Sequence, residues 1–275
     1  PGMDRRNFIS RTALGTLGAA GILTSCSGPS EKKEEIQLPE LLTQAPDGKV
    51  IKAGLIGCGG RGTGAAINFL DAGPNLQITA LGDVFQDKID NCRAKLKEQK
   101  GVEIADENCF IGFDSFEKVI DSGVDMVLLC TPPHFRPAHV EAAVNARKHI
   151  FMEKPVAVDP AGARSVMASV KKAQAIGINM VSGTIRRVQK DYMETWRRVA
   201  NGEIGEITGA NILRNGGALW YRQRQPEWSD MEYMLRNWVN FCWLSGDHIT
   251  EQFIHEIDVM NWHIGRNPKL AVGYG

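Results

Sequence analysis

The chain has 275 residues, 43% hydrophobic and 23% charged, which is the composition of a soluble globular protein with enough apolar material for one large or two ordinary domains. Lys plus Arg balances Asp plus Glu at 32 each, and no basic run is interleaved with aromatics; nucleic acid is therefore not an expected partner, and a small, roughly neutral ligand fits better. The six cysteines form no CxxC pair and no zinc-like spacing, so no metal is expected.

Residues 1–26 read as a signal segment. Met3 reads as the start and is followed by DRRNFIS, in which adjacent Arg5 and Arg6 resemble a twin-arginine signal. The apolar run from Thr12 to Leu23 is about 12 residues long, too short for a spanning helix, which needs ~20. Leu23-Thr24-Ser25-Cys26 resembles a lipobox. The expectation is an exported protein, periplasmic or lipid-anchored at a bacterial envelope membrane, touching that membrane only through lipid on Cys26. Residues 27–48, rich in Ser, Pro, Lys, Glu and Gly, read as a linker.

From Lys49 an apolar strand runs into a glycine-rich turn and then a helical pattern, in VIKAGLIGCGGRGTGAAINFL. Gly57, Gly59 and Gly62 satisfy G-x-G-x-x-G in that context: the first for the tight turn, the second for backbone approach to a pyrophosphate, the third for packing of helix on strand. A second apolar run, LQITALGDVF, carries Asp83 about 20 residues past the last glycine, where a carboxylate accepts from a ribose 2′-hydroxyl and repels a 2′-phosphate. NAD is expected over NADP. Helices follow over Asp87–Lys100 and about Ser115–Asp121, then the strand Val124–Cys130, a helix from about Pro137 to Arg147, the strand HIFME, a helix Ala161–Ala175 and the strand INMVSG. This alternation predicts a doubly wound α/β sheet over 49–182. Ligands of such sheets bind beyond the carboxyl ends of strands, which puts Thr131, Pro132, His134 and Lys154 near the cofactor.

GCGGRG at Gly57–Gly62, Asp83, CTPPHFRPAH at Cys130–His139, FMEKPVAVDP at Phe151–Pro160 and SGDHITEQFIHEIDVMNW at Ser245–Trp262 together resemble the glucose-fructose oxidoreductase, inositol dehydrogenase and rhizopine catabolism (Gfo/Idh/MocA) family over residues 50 to 275. The resemblance implies a Rossmann dinucleotide-binding domain followed by an α+β substrate domain at 183–275 with an open, mostly antiparallel sheet, incomplete here. It implies catalytic roles for Lys154, His255 and Glu251, and cofactor contacts from Gly57, Cys58, Gly59, Gly60, Arg61, Gly62, Asp83, Thr131, Pro132, His134, Glu153 and Lys154. It also implies an oligomer built through the substrate-domain sheet. The chain departs from the commonest pattern at Glu251, where many members have Asp, and at Pro133 and Arg136.

Oxidising a secondary alcohol needs a base for the hydroxyl proton and a donor to steady the alkoxide. His255 and Lys154 supply these, and Glu251, one regular helical turn before His255, is expected to orient it or bind a neighbouring hydroxyl. Downstream of the first half, NGEIGEITGANILRNGG reads as the first strand of the substrate sheet, and NPKLAVGYG as a further strand-like run. An aromatic and amide-rich stretch lies between the two, suited to a sugar's C–H faces and hydroxyls. Lys154, Arg186, Trp220, Tyr221, Arg236, His248 and Asp258 are the candidate substrate residues, with His248 equally open to a structural role. The expected function is NAD-dependent hydride transfer at a sugar, glycoside or cyclitol hydroxyl, with a tightly held cofactor. The alternatives are a glycosidase or epimerase working by transient oxidation, and a non-catalytic sugar-binding protein.

Overall fold

In a computed structural model the described residues are 35–39, 42 and 48–274, so the expected signal segment and most of the linker lie outside them. Every described helix and strand falls within Leu38–Gly275.

Six parallel strands form one sheet in the order β3-β2-β1-β4-β5-β6: β1 Ile51–Ile56, β2 Leu76–Asp83, β3 Cys109–Ile111, β4 Met126–Leu129, β5 His149–Met152 and β6 Met180–Ser182. Helices connect them, namely α1 Gly60–Asp71, α2 Gln86–Lys100, α3 Ser115–Asp121, α4 Arg136–Asn145 and α5 Pro160–Ala175. The order reverses between β1 and β4, which is the topological switch point of a doubly wound fold.

Alternation along the strands decides which helix goes where. Ala53 and Leu55 of β1 and Leu128 of β4 face one core with Ala66 of α1 and Ile89, Cys92 and Leu96 of α2. Ile56, Val127 and Leu129 point the opposite way, into a core shared with Val119 of α3, Val140 and Val144 of α4 and Val166 of α5. Strands buried on both faces read as continuous apolar runs, as VDMVLLC does. The helix ends are marked locally as well. The Asp159 carboxylate accepts from Gly162 N–H at 2.6 Å beside Pro160 at the start of α5, and Gly101 closes α2 in a left-handed conformation, φ 66°.

The strands finish nearly level, since Ile56 pairs with Leu129, Leu129 with Met152, and Met152 with Ser182. Residues at or just beyond the ends of β1, β2, β4 and β5 therefore share one edge, and these include the glycine turn, Asp83, Thr131 and Lys154.

After β6 the chain is helical where it is regular: α6 Lys190–Ala200, α7 Asp230–Arg236, the single turn α8 Cys242–Ser245 and α9 Ile254–Ile264. The expected antiparallel substrate sheet is not met among the described residues. Residues 207–225 and 266–274 hold neither strand nor helix. A strand needs a neighbour for its backbone N–H and C=O groups, and no described segment pairs with either stretch in a backbone ladder. Residues 220–222 are held instead by side-chain amides: Asn237 donates to the Arg222 carbonyl and accepts from its N–H, and Asn240 donates to the Trp220 carbonyl.

Candidate active site

The glycine turn is shaped by contacts that only glycine tolerates. Gly57 has φ +96°, and Gly62 packs so closely that a Cβ would stand 1.8 Å from the Gly57 carbonyl oxygen. At Gly59 the reverse holds, because a Cβ would meet nothing within 4 Å. That open space faces the start of α1, which has no side-chain cap and no acidic residue in its first turn. Unpaired N–H groups and the positive end of the helix dipole suit a pyrophosphate there.

Asp83, at the tip of β2, accepts from Cys58 N–H at 2.7 Å and Phe85 N–H at 3.0 Å. Burial raises its pKa, and those two donors oppose the rise. Each carboxylate oxygen keeps an acceptor site for a ribose hydroxyl. A cleft of about 410 Å³ runs from Gly59, Gly60 and Arg61 past Asp83 to Thr131 and Pro132. The residues present therefore fit a dinucleotide. Two expected cofactor residues stand behind this wall. The Cys58 thiol points to the Gly82 carbonyl in the core, at 3.6 Å, and Glu153 pairs with Arg61 at 2.9 Å. The His134 ring lies edge-on to Trp243, with centroids 5.1 Å apart.

Lys154 follows β5 at the same sheet edge. Its ammonium donates to the Glu251 carbonyl oxygen at 2.6 Å and to the Glu251 carboxylate at 2.7 Å, with the two side chains only 16% and 9% exposed. Glu251 does not sit in a regular α-helix: Ile249–Phe253 form a wide π-type turn that runs directly into α9. Such a turn rotates the side chain away from its i+4 neighbour, so the carboxylate's partners are Lys154 and the Gln252 amide rather than the His255 ring. The His255 ring, in the first turn of α9, has no hydrogen-bond partner among the described residues. Burial lowers its pKa, and the nearby charges of Lys154, Arg214 and Arg186 lower it further against Glu256. A neutral, proton-accepting imidazole thus stands within the field of an ammonium.

The candidate substrate residues separate into groups. Arg186 stays near His255, bonded to Glu256 at 3.1 Å and to the Tyr192 hydroxyl. Asp258 is engaged in a two-point ion pair with Arg187, 2.8 and 2.9 Å, and His248 is exposed against Phe253. Trp220 and Arg236 line the dinucleotide cleft with Asp83, and the Tyr221 hydroxyl bonds that of Tyr233 at 3.0 Å. Arg236 stacks 3.9 Å from the Phe85 centroid and pairs with Asp87 and Glu232. Arg222 and Trp238, read in the sequence only as members of the aromatic, amide-rich stretch suited to a sugar, lie on the same wall. Sequence reasoning gave no role to buried Arg136, which donates to the Thr131 and Pro155 carbonyls beside the site and had stood out only as a departure from the commonest pattern in its loop.

Residues 51–180 match the Gfo/Idh/MocA oxidoreductase family, NAD-binding Rossmann fold. Myo-inositol 2-dehydrogenase of Thermotoga maritima is 28% identical over 225 residues, covering 82% of this chain and 58% of the relative. The 2,7-anhydro-N-acetylneuraminate hydratase of Escherichia coli is 26% identical over 227 residues, covering 82% of this chain and 53% of the relative. In fold, the chain is similar to scyllo-inositol dehydrogenase from Lactobacillus casei, solved with NAD(H) and scyllo-inositol, at TM-score 0.57 and 24% identity over 79% of this chain and 57% of that one. The chain spans little more than half the length of these relatives.

Proposed function

We propose, on the match of residues 51–180 to the Gfo/Idh/MocA oxidoreductase family, NAD-binding Rossmann fold, that this chain is part of an enzyme moving a hydride between a secondary hydroxyl of a sugar, glycoside or cyclitol and NAD. A bound nicotinamide supplies the hydride acceptor. His255, kept neutral by burial and by neighbouring cations, takes the hydroxyl proton, and the Lys154 ammonium steadies the oxygen as negative charge develops on it. Glu251 aims the Lys154 side chain through two contacts. The single observation that carries this reading is the Lys154 ammonium, anchored on Glu251 at the carboxyl edge of the sheet, whose charge reaches His255.

In this proposal residues 49–182 hold the cofactor and 183–275 belong to the substrate half. In it the chain is exported, either periplasmic or anchored through lipid on Cys26, and the cofactor is recycled in place because none is made outside the cytoplasm. The E. coli relative's name, a hydratase, favours a second, redox-neutral outcome: transient oxidation, then either elimination of a substituent and return of the hydride, as in a glycosidase, or return of the hydride to the opposite face, as in an epimerase.

One experiment covers both. Cofactor-loaded full-length protein is offered mono- and disaccharides and inositols while NADH and product structure are followed together. Net NADH assigns a dehydrogenase, and cleaved or inverted product without net NADH assigns the redox-neutral route. Lys154→Met should lower turnover at least about a thousandfold with NAD still bound. Unchanged turnover removes Lys154 from the chemistry.

A further inference from the structure

The wall of the dinucleotide cleft opposite the glycine turn comes from far along the chain, outside the Rossmann domain. Trp220, Arg222, Arg236 and Trp238 line the same cleft as Gly59 and Asp83. The aromatic stretch was expected to receive a sugar, yet these members of it face the space that fits a dinucleotide. They are also built in. Asn237, fully buried, clamps the backbone of Arg222 from both sides, and Asn240 holds the Trp220 carbonyl. Arg236 bolts this unit to the Rossmann half by stacking on Phe85, two residues past Asp83, and by pairing with Asp87 at 2.9 Å. The Trp220 and Trp238 rings meet edge to face with centroids 6.2 Å apart. The Arg222 guanidinium lies 5.6 Å from the Trp220 centroid and has no carboxylate partner among the described residues.

Each part suits one half of NAD better than a sugar. Asp83 marks the ribose of the adenosine end, so the wall across from it faces adenine and its phosphates. An indole face offers stacking to a purine, and an uncommitted guanidinium offers charge to a pyrophosphate. We propose that Trp220 and Arg222 are cofactor-affinity residues, forming with Asn237 and Arg236 a strap that grips the ADP-ribose half of NAD. The strap would slow dissociation, which is what an enzyme recycling one cofactor in place requires. The inference rests on the NAD-binding reading of the cleft.

The test measures binding rather than turnover, using full-length protein and two probes, NAD and ADP-ribose. Trp220 is 45% exposed and Arg222 is exposed, so substitutions there leave the core untouched. Trp220→Ala and Arg222→Ala should each raise both dissociation constants at least about fivefold, and stopped-flow displacement should show faster NAD release. Trp220→Phe, which keeps an aromatic face, should stay within about twofold of the parent. Equal ADP-ribose affinity in parent and variants would overturn the strap, as would a rise in sugar KM with cofactor binding unchanged. A parent protein that binds neither probe would instead sink the NAD reading on which the strap depends.

Discussion

At the residue scale, the buried imidazole of His139 links the site to pH. Its ring stacks on Phe116 at 4.2 Å and its Nδ1 lies 3.3 Å from the Thr131 hydroxyl, directly under the cofactor-side loop. Burial, and then the charge of Arg136, push its pKa down from 6.5 to about 3. The folded protein therefore keeps His139 neutral between pH 6.5 and about 3, while the unfolded chain protonates it. Because the unfolded state binds more protons in that window, stability falls as pH drops, by up to ~1.4 kcal/mol per pH unit and roughly 2 kcal/mol by pH 5. His139→Gln should remove most of that slope. Urea midpoints at pH 7.5 and 5 measure it, and a variant that loses as much stability as the parent would show that His139 is not the responsible group.

At the scale of elements, the glycine turn makes two opposite predictions from one motif. Gly62→Ala drives a Cβ into the Gly57 carbonyl, a backbone atom that cannot swing aside, so α1 must lift off β1 and stability should fall by roughly 2–3 kcal/mol. Gly59→Ala meets no protein atom, so the melting temperature should hold while NAD affinity falls about tenfold or more, because the new methyl occupies space left for the pyrophosphate. Calorimetry and NAD titration on the two variants separate the effects, and a stable Gly62→Ala protein would contradict the packing argument. This half of the molecule was legible because its signals are local: glycine spacing, apolar runs, the cap at Asp159, the left-handed stop at Gly101. Helix α3 fell on Ser115–Asp121 as read, and α5 began one residue early, at its Pro. Downstream the signals are not local. Arg236 finds Asp87 across 149 positions, and the wide turn at Ile249–Phe253 redirects Glu251 to Lys154, where regular helical spacing had aimed it at His255. Periodicity assumes 3.6 residues per turn, and it fails where the backbone departs from that value.

At the scale of the whole molecule, the segment after β6 brings no sheet of its own among the described residues and is joined to the Rossmann half partly by ions. Arg236 reaches Asp87, and Lys154 reaches Glu251. The first pair involves a half-exposed carboxylate, so salt screens it and its contribution is small. The second is nearly closed to solvent, and removing one partner strands the other charge. Glu251→Gln should therefore cost roughly 3 kcal/mol, a fall in Tm of about 6–12 °C for a chain of this size. Adding Lys154→Met to it should recover part of the loss, since the double variant buries no unpaired charge and the two effects couple through one contact. Thermal melts of the single and double variants, with hydrogen exchange followed over Ile254–Ile264, give the coupling directly. Strict additivity would mean that Lys154 and Glu251 stabilise the molecule independently, and that the ammonium at the site is held by something other than this carboxylate.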